Sequence, residues 1–500
     1  MFIRSVHRDR VLVFCAVFVG AALNSANAQQ SPDPGGTATV TEGQLEEVVV
    51  TATRREEQTQ KVPVAPSAIS GAELEQAGVQ NFSDLANLTP SLAVAQAPGG
   101  FNFINIRGVG VGVATPFQSA GVPLMVDGMY LPHSENYIQS EYFDIDRVEV
   151  YRGPQGTFAG QNSTGGAIFV NTAQPEFGDF SGWAQQLVGD NHWYQTQAAV
   201  NLPIDDEWAA RIAVNAEKRD GYTHDLGPEG SAGLFSSGSF GDPGNLDRFD
   251  VRANLRFRPS DAVDIRLQYD NVDERDNGPA DIPNGNTAAF YTPGGGAYQG
   301  NFNDPKDIPN PRTVSYDYPQ SRDLRINRAL LNTDWKLAGD LELKTVTGYQ
   351  YYQYVTGQDA DYGSPFTGAI DFEPGPQVAT LNSTRDTYYT QEVDLLSTGD
   401  SRLQWVVGAD AYHEVTPVHT AVDVYTYGPL TPPGVPAFPA APYGPANPFS
   451  GIILNYYQQD KSYAGFGELT FKPVDQFQII AGARCMSSAS RPRQPTIICV

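Results

Sequence analysis

From about residue 178 onward the chain alternates polar and apolar residues again and again. Phe249, Val251, Ala253, Leu255 and Phe257 alternate with Asp250, Arg252, Asn254, Arg256 and Arg258. Val263, Ile265, Leu267 and Tyr269 alternate with Asp264, Arg266, Gln268 and Asp270. Two further faces of this kind are Trp208, Ala210, Ile212, Val214, Ala216 and Leu403, Trp405, Val407, Ala409, Ala411. A period of two residues is the signature of a strand with two unlike faces. Eleven such stretches lie between residues 180 and 484, each about 9–11 residues long, the length of a tilted strand that crosses a bilayer. In residues 322–337 the apolar phase shifts between Ile326 and Ala329, which predicts a β-bulge there.

The connections decide what the strands build. Short turns are expected at residues 203–207, 259–262, 338–340, 397–401 and 473–476. Long loops are expected at 220–246, 273–321, 357–384 and 416–460, so short and long alternate. A soluble sandwich has no reason to keep its long loops at one end. A membrane barrel does, with short periplasmic turns and long extracellular loops.

Composition agrees with this. The 500 residues carry 25 Tyr, 25 Phe and 5 Trp, too many aromatics for a chain that cannot bury surface. A net charge of −25 argues against broad binding to nucleic-acid phosphates. The cysteines stand at 15, 485 and 499, so the body contains no disulfide framework and no CxxC metal site. A body without cysteine suits an oxidising compartment. At the N-terminus Arg4, Arg8 and Arg10 precede an apolar run over 11–23, and Ala26-Asn27-Ala28 supplies a small-x-small cleavage signature. Residues 1–28 therefore read as a signal peptide, since the run is too short to span.

Between leader and strands lies a mixed α/β region. Residues 29–61 form a flexible leader that contains the extended, β-branched stretch Glu46, Glu47, Val48, Val49, Val50, Thr51 and Ala52. Ser70-Gly-Ala-Glu73 is a capping box, and Asn81 opens a second short helix. Short strands follow at 101–107, 124–126 with 129–131 around Asp127-Gly128, 145–151 and 167–171. The Asp-Gly pair is a strong two-residue hairpin signal.

The motifs in this region are Ile106-Arg107-Gly108, Val126-Asp127-Gly128, Ile145-Asp-Arg147-Val-Glu149-Val-Tyr-Arg152-Gly153-Pro154 and Gly165-Gly166-Ala-Ile-Phe-Val-Asn171. With the stretch 46–52 before them and the alternating strands after them, the chain resembles the TonB-dependent outer-membrane receptors. The resemblance implies a mainly β fold: a small α/β plug over 62–177, then antiparallel transmembrane β-barrel strands over 178–484. It implies that residues 46–52 are a TonB box, an extended peptide that adds as a strand to the periplasmic domain of the TonB energy-transducing protein. It also implies energised uptake of a scarce small-molecule ligand, a ferric siderophore being the leading class, from the outer membrane of a Gram-negative cell.

A plug must fit a barrel with a polar interior, so its surface needs paired charges. Arg107, Asp127, Arg147, Glu149 and Arg152 are expected to pair within the plug and across to the wall. Gly153, Gly156, Gly160, Gly165 and Gly166 are expected to supply turns and close backbone approaches, while Gly108 and Gly128 belong to the plug motifs. No catalytic constellation is found: no GxSxG elbow, no HExxH, and no Lys in the Gly160–Gly166 stretch that a phosphate loop would need. No cofactor, no metal and no nucleic-acid partner are expected. The long loops lack an Arg/Lys cluster that would grip an anionic chelate.

Two departures from the family are expected. A plugged barrel of 22 strands at this spacing would need roughly 790 residues, so about eleven of the 22 strands are expected here. Residues 485–500 lose the alternation, which suggests an aberrant tail from a frameshift or a broken gene. The alternative reading is a secreted all-β binding or carbohydrate-active protein. Its two catalytic carboxylates cannot be picked out.

Overall fold

The computed structural model describes residues 49–50, 57–58, 66–96, 102–110, 121–131, 142–157, 159–160, 163–225, 241–278, 289–291, 297–299, 313–314, 320–359, 376–399, 401–426, 450–474, 477–490 and 493–499. The signal peptide and the TonB-box residues Glu46, Glu47, Val48, Thr51 and Ala52 lie outside the described residues. Val49–Val50 pairs antiparallel with Glu57–Gln58.

The α/β region begins with β1 (Ser67–Ser70), α1 (Gly71–Gln76) and α2 (Phe82–Leu88). Both helices open on complete capping boxes, Ser70 with Glu73 and Asn81 with Asp84. Each box satisfies backbone N–H groups that a helix start leaves unpaired. Then come β2 (Leu92–Gln96), β3 (Asn102–Ile106), β4 (Val109–Gly110), β5 (Leu124–Val126), β6 (Met129–Leu131), β7 (Ile145–Arg152) and β8 (Gly166–Thr172). One sheet has the order β1-β7-β8-β5-β6, with β8 parallel to β5 and the other pairs antiparallel. A second sheet has the order β2-β3-β4. Leu74, Phe82, Leu85, Ile104, Ile106, Val148, Val150 and Ile168 form the core between helices and sheets. Residues Arg107 and Gly108 join β3 to β4, and Asp127 and Gly128 join β5 to β6. All four have positive φ, as a type I′ hairpin turn requires at both central positions.

The wall is one antiparallel sheet in which every strand pairs with the next. Its members are β9 (Ser181–Gly189), β10 (Trp193–Pro203), β11 (Trp208–Arg219), β12 (Leu246–Ser260), β13 (Val263–Asp276) and β14 (Ser321–Leu337), followed by β15 (Leu341–Asp359), β16 (Pro376–Ser397), β17 (Leu403–Thr426), β18 (Ser450–Val474) and β19 (Phe477–Ser490). These are the eleven strands expected, but several are much longer. At about 3.3 Å per residue the 25-residue β18 runs roughly 80 Å, far beyond a hydrocarbon layer of about 30 Å. The strands therefore take up the flanks of the loops expected at 357–384 and 416–460.

The bulge expected in 322–337 is absent. The pairing of β14 with β13 and with β15 is continuous from end to end. Leu324, Ile326, Arg328 and Leu330 all lie buried on one face, while Leu331 is exposed on the other. The apolar residues change face and the backbone does not. Leu324 and Ile326 cluster with Val272, Tyr352 and Tyr354, and Leu330 joins the plug core, so this inner face has apolar partners. The ladder also runs past Arg484, because Cys485 to Ser490 continue to pair with β18. β20 (Arg493–Cys499) pairs with β18 beyond them.

Candidate functional site

The wall has the reverse of a soluble sheet's polarity. Phe249, Leu267, Tyr269, Trp335, Val407, Tyr463 and Leu469 are exposed on its outer face. Asp250, Arg252, Asp270 and Arg328 are buried on the inner one, Arg328 completely. Trp208 stacks on Phe257 across β11 and β12 with ring centroids 4.2 Å apart. On β12 the outward aromatics Phe249 and Phe257 bracket an apolar band about 20 Å high at a barrel tilt near 40°, of the order of an outer-membrane band. An apolar outer face with aromatics at its margins and charges inside is the pattern of strands in lipid.

Buried charge must be paired. The inner face does this by cross-strand rows. Arg252, Asp270 and Arg328 stand opposite one another on β12, β13 and β14. Arg252 Nε donates to Asp270 Oδ1 at 2.7 Å, and Arg328 Nη2 lies 3.1 Å from Asp270 Oδ2. A second row places Glu217, Arg248 and Glu274 opposite one another, with Arg248 donating to both acids. Arg322 reaches Glu274 at 2.7 Å and also pairs with Asp276.

The α/β domain is held against these rows. Asp144 precedes β7 with φ +52 and accepts two hydrogen bonds from Arg211, at 2.8 and 2.5 Å. The Phe143 carbonyl accepts from Arg252 at 2.9 Å, and the Arg252 guanidinium lies over the Phe143 ring. Asn254 donates to the Ala173 carbonyl, and Arg256 to the Pro175 carbonyl. On strands β14 to β17 the contact is apolar instead. Leu330 and Tyr388 of the wall belong to the core cluster of the α/β domain. Tyr130 of β6 packs against Tyr388 and Tyr412, with centroids 6.5 and 6.0 Å apart.

The motif residues divide between these roles. Asp127 reaches the wall, but through neutral donors: its carboxylate accepts from Gln268 at 3.0 Å and its carbonyl from Asn332 at 3.0 Å. Its other bonds, from the Thr172 N–H and hydroxyl, tie the hairpin to β8. Arg147 and Glu149 pair within the domain at 3.0 Å. Glu149 is wholly buried and also accepts from Tyr151 and Asn171. Burial works against the Arg147 charge, yet Glu149 and Asp146 beside it raise the guanidinium above its ordinary range. Arg107 is exposed in its turn and lies near Gly153, while Arg152 ends β7 half-buried. The Gly153 N–H donates to the Gly165 carbonyl at 3.0 Å. A Cβ at Gly166 would lie 2.2 Å from the Tyr151 carbonyl, so only glycine lets β8 start this close to β7. At Gly128 a Cβ would meet Val346 of the wall at 3.3 Å.

Asp144, Arg211 and Arg252, which join the α/β domain to the wall, and Asp270 and Arg328, which complete the row that holds Arg252, were not among the expected ones. For the arginines and Asp270 the signal was available. They occupy the polar phase of strands long enough to cross a membrane, where a charge has to face inward.

The TonB-dependent receptor plug domain family model matches residues 58–167, the α/β domain described above. The pesticin receptor of Yersinia pestis is 32% identical over 183 residues, covering 36% of this chain and 25% of that protein. The ferrioxamine receptor of Yersinia enterocolitica is 23% identical over 219 residues, covering 41% of this chain and 29% of that protein. The chain thus spans between a quarter and a third of the length of these curated relatives. Among solved structures, the ferric yersiniabactin uptake receptor FyuA from Yersinia pestis superposes with a TM-score of 0.62 at 20% identity, covering 87% of this chain and 61% of that one. That likeness extends the shared fold from the plug to the wall. Residues 58–167 are thus a TonB-dependent receptor plug domain, and the eleven antiparallel strands after it among the described residues share the fold of the wall of such a receptor.

Proposed function

We propose that the chain is part of a receptor for energised uptake of an iron-siderophore-type complex across the outer membrane of a Gram-negative cell. Residues 1–28 direct export and are removed. Residues 29–61 are a leader whose segment 46–52 is the TonB box, residues 62–177 are the plug, and 178–484 are wall. The leader offers an extended strand to the periplasmic TonB domain, which supplies the pull, and the chain performs no catalysis.

The observation that carries this reading is the plug–wall contact itself. A folded domain bonded through buried charge rows to the inner face of strands whose outer face suits lipid is a stopper, and a stopper implies controlled passage. Support for an iron chelate as cargo comes from similarity to proteins called a ferrioxamine receptor and a ferric yersiniabactin uptake receptor. Outer membranes from cells making the chain should retain radio-iron ferrioxamine B, displaced by excess cold chelate, and should not retain cyanocobalamin. Retention of cyanocobalamin but no ferric chelate would replace the cargo class, and failure to retain either would remove the uptake reading.

A further inference from the structure

Three polar side chains of the wall stand in one cross-strand row that faces away from the plug. Arg325 of β14 is opposite Gln353 of β15, and Gln353 is opposite Arg385 of β16. Their chain neighbours Leu324, Ile326, Tyr352, Tyr354 and Asp386 are buried on the inner face, so the row belongs to the outer one. Toward the short turns the same outer face is apolar and aromatic, with Leu331, Tyr349, Tyr389 and Val393 all exposed. The Tyr349 and Tyr389 rings lie 4.9 Å apart. Toward the long loops the face turns polar at Arg325, Gln353 and Arg385. The row therefore marks the outer margin of the apolar band, where hydrocarbon gives way to lipid head groups.

All three side chains have donors to offer. Arg385 is exposed and has no ion pair or hydrogen bond among the described residues. Arg325 is half-exposed, and its contact with Asp273 is long at 3.8 Å, on a carboxylate that Arg275 approaches more closely at 3.3 Å. The Gln353 amide oxygen accepts from the Tyr351 hydroxyl at 3.1 Å, which leaves the amide NH2 to donate elsewhere. The outward neighbours of the row on β15 and β16, Tyr351, Val355, Ser383 and Thr387, are uncharged. Adjacent strands lie about 4.8 Å apart, so the two arginine backbones are about 10 Å apart with Gln353 between them. Two arginine side chains leaning toward Gln353 close that gap on a single anion.

The setting selects the anion. A guanidinium fork matches phosphate, which accepts several hydrogen bonds at once. An anion resting directly against the lipid-facing Tyr349–Tyr389 pair is one that is joined to acyl chains. A cation at the membrane margin gains most from such a charged head group.

We propose that Arg325, Gln353 and Arg385 clamp the phosphate of an outer-leaflet lipid whose acyl chains run down over Tyr349 and Tyr389. A lipid held there would brace β14, β15 and β16 from outside. Two of these strands carry Leu330 and Tyr388, the inner residues that join the plug core. The site needs only a lipid-facing wall, whatever the cargo.

The test is titration of the full chain in detergent micelles with bisphosphorylated lipid A, bound lipid being counted by native mass spectrometry. Arg325→Gln and Arg385→Gln should each weaken binding about fivefold, and together by the product of the two. Arg402→Gln, which removes an exposed cation beside a short turn, should leave binding unchanged. Arg385→Lys, which keeps the charge and loses the fork, should fall between the native chain and Arg385→Gln. Lipid A stripped of its phosphates should bind no better to the native chain than to the double variant. Equal binding of the stripped lipid, or an equal loss in Arg402→Gln, would overturn the clamp. Displacement of lipid A by an equal concentration of inorganic phosphate would show a free-anion site and overturn the lipid assignment. The ferrioxamine assay succeeds or fails independently of these results.

Discussion

Arg252 Nε donates to Asp270 Oδ1 at 2.7 Å across two wall strands, and Arg252 Nη1 donates to the Phe143 carbonyl of the plug at 2.9 Å. One guanidinium therefore ties the wall to itself and to the plug. The same Asp270 carboxylate also holds Arg328 from the next strand. The three side chains are essentially inaccessible to solvent.

Asp270→Ala should consequently be among the most damaging substitutions in the wall. It strands two buried guanidiniums, and removal of one partner from a buried ion pair costs about 3–5 kcal/mol. Asp273→Ala, on the half-exposed outer pairs with Arg275 and Arg325, should cost less than about 1 kcal/mol. Urea unfolding of both variants in detergent micelles measures the contrast.

Gly128→Ala should destabilise for two reasons. The residue has φ +87, and an added methyl would press on Val346. A left-handed conformation at a non-glycine residue costs of order 1–3 kcal/mol. Gly465→Ala, where an added Cβ meets nothing within 4 Å, should fall within about ±0.5 kcal/mol. Thermal unfolding followed by circular dichroism separates the two.

What could be read in the sequence was what depends on near neighbours. The Ser70 and Asn81 capping boxes, the Asp127-Gly128 turn and the period-two strands each rest on residues a few places apart. The inner apolar patch of β14 was misread as a bulge, because periodicity assumes that the inner face stays polar. At Leu324, Ile326 and Leu330 it meets Tyr352, Tyr354 and the plug core instead. Asp144 was missed because its partner Arg211 lies 67 residues away and nothing local marks the pair. The excess length of the later strands was hidden because alternation fades among the prolines and tyrosines of their upper ends.

In a full-length version of the receptor, Val49→Pro should abolish energised uptake while leaving chelate binding intact. Proline removes a backbone donor from the strand offered to the periplasmic partner. Radio-iron uptake, set beside binding at 0 °C where transport stops, distinguishes the two steps. Normal uptake with normal amounts in the membrane would sink the TonB-box assignment.

Tryptophan fluorescence tests directly which face of the wall meets lipid. Trp208 and Trp335 lie on the outer phase of β11 and β14, with Trp335 half-exposed. The chain is reconstituted into vesicles with and without brominated acyl chains. Strong quenching by the brominated lipid, reduced on replacing Trp208 and Trp335 by Phe and lost when Trp405, on the same outer phase, is replaced as well, is the predicted result. A chain recovered without detergent whose tryptophans are not quenched would contradict the membrane wall and favour a secreted β protein.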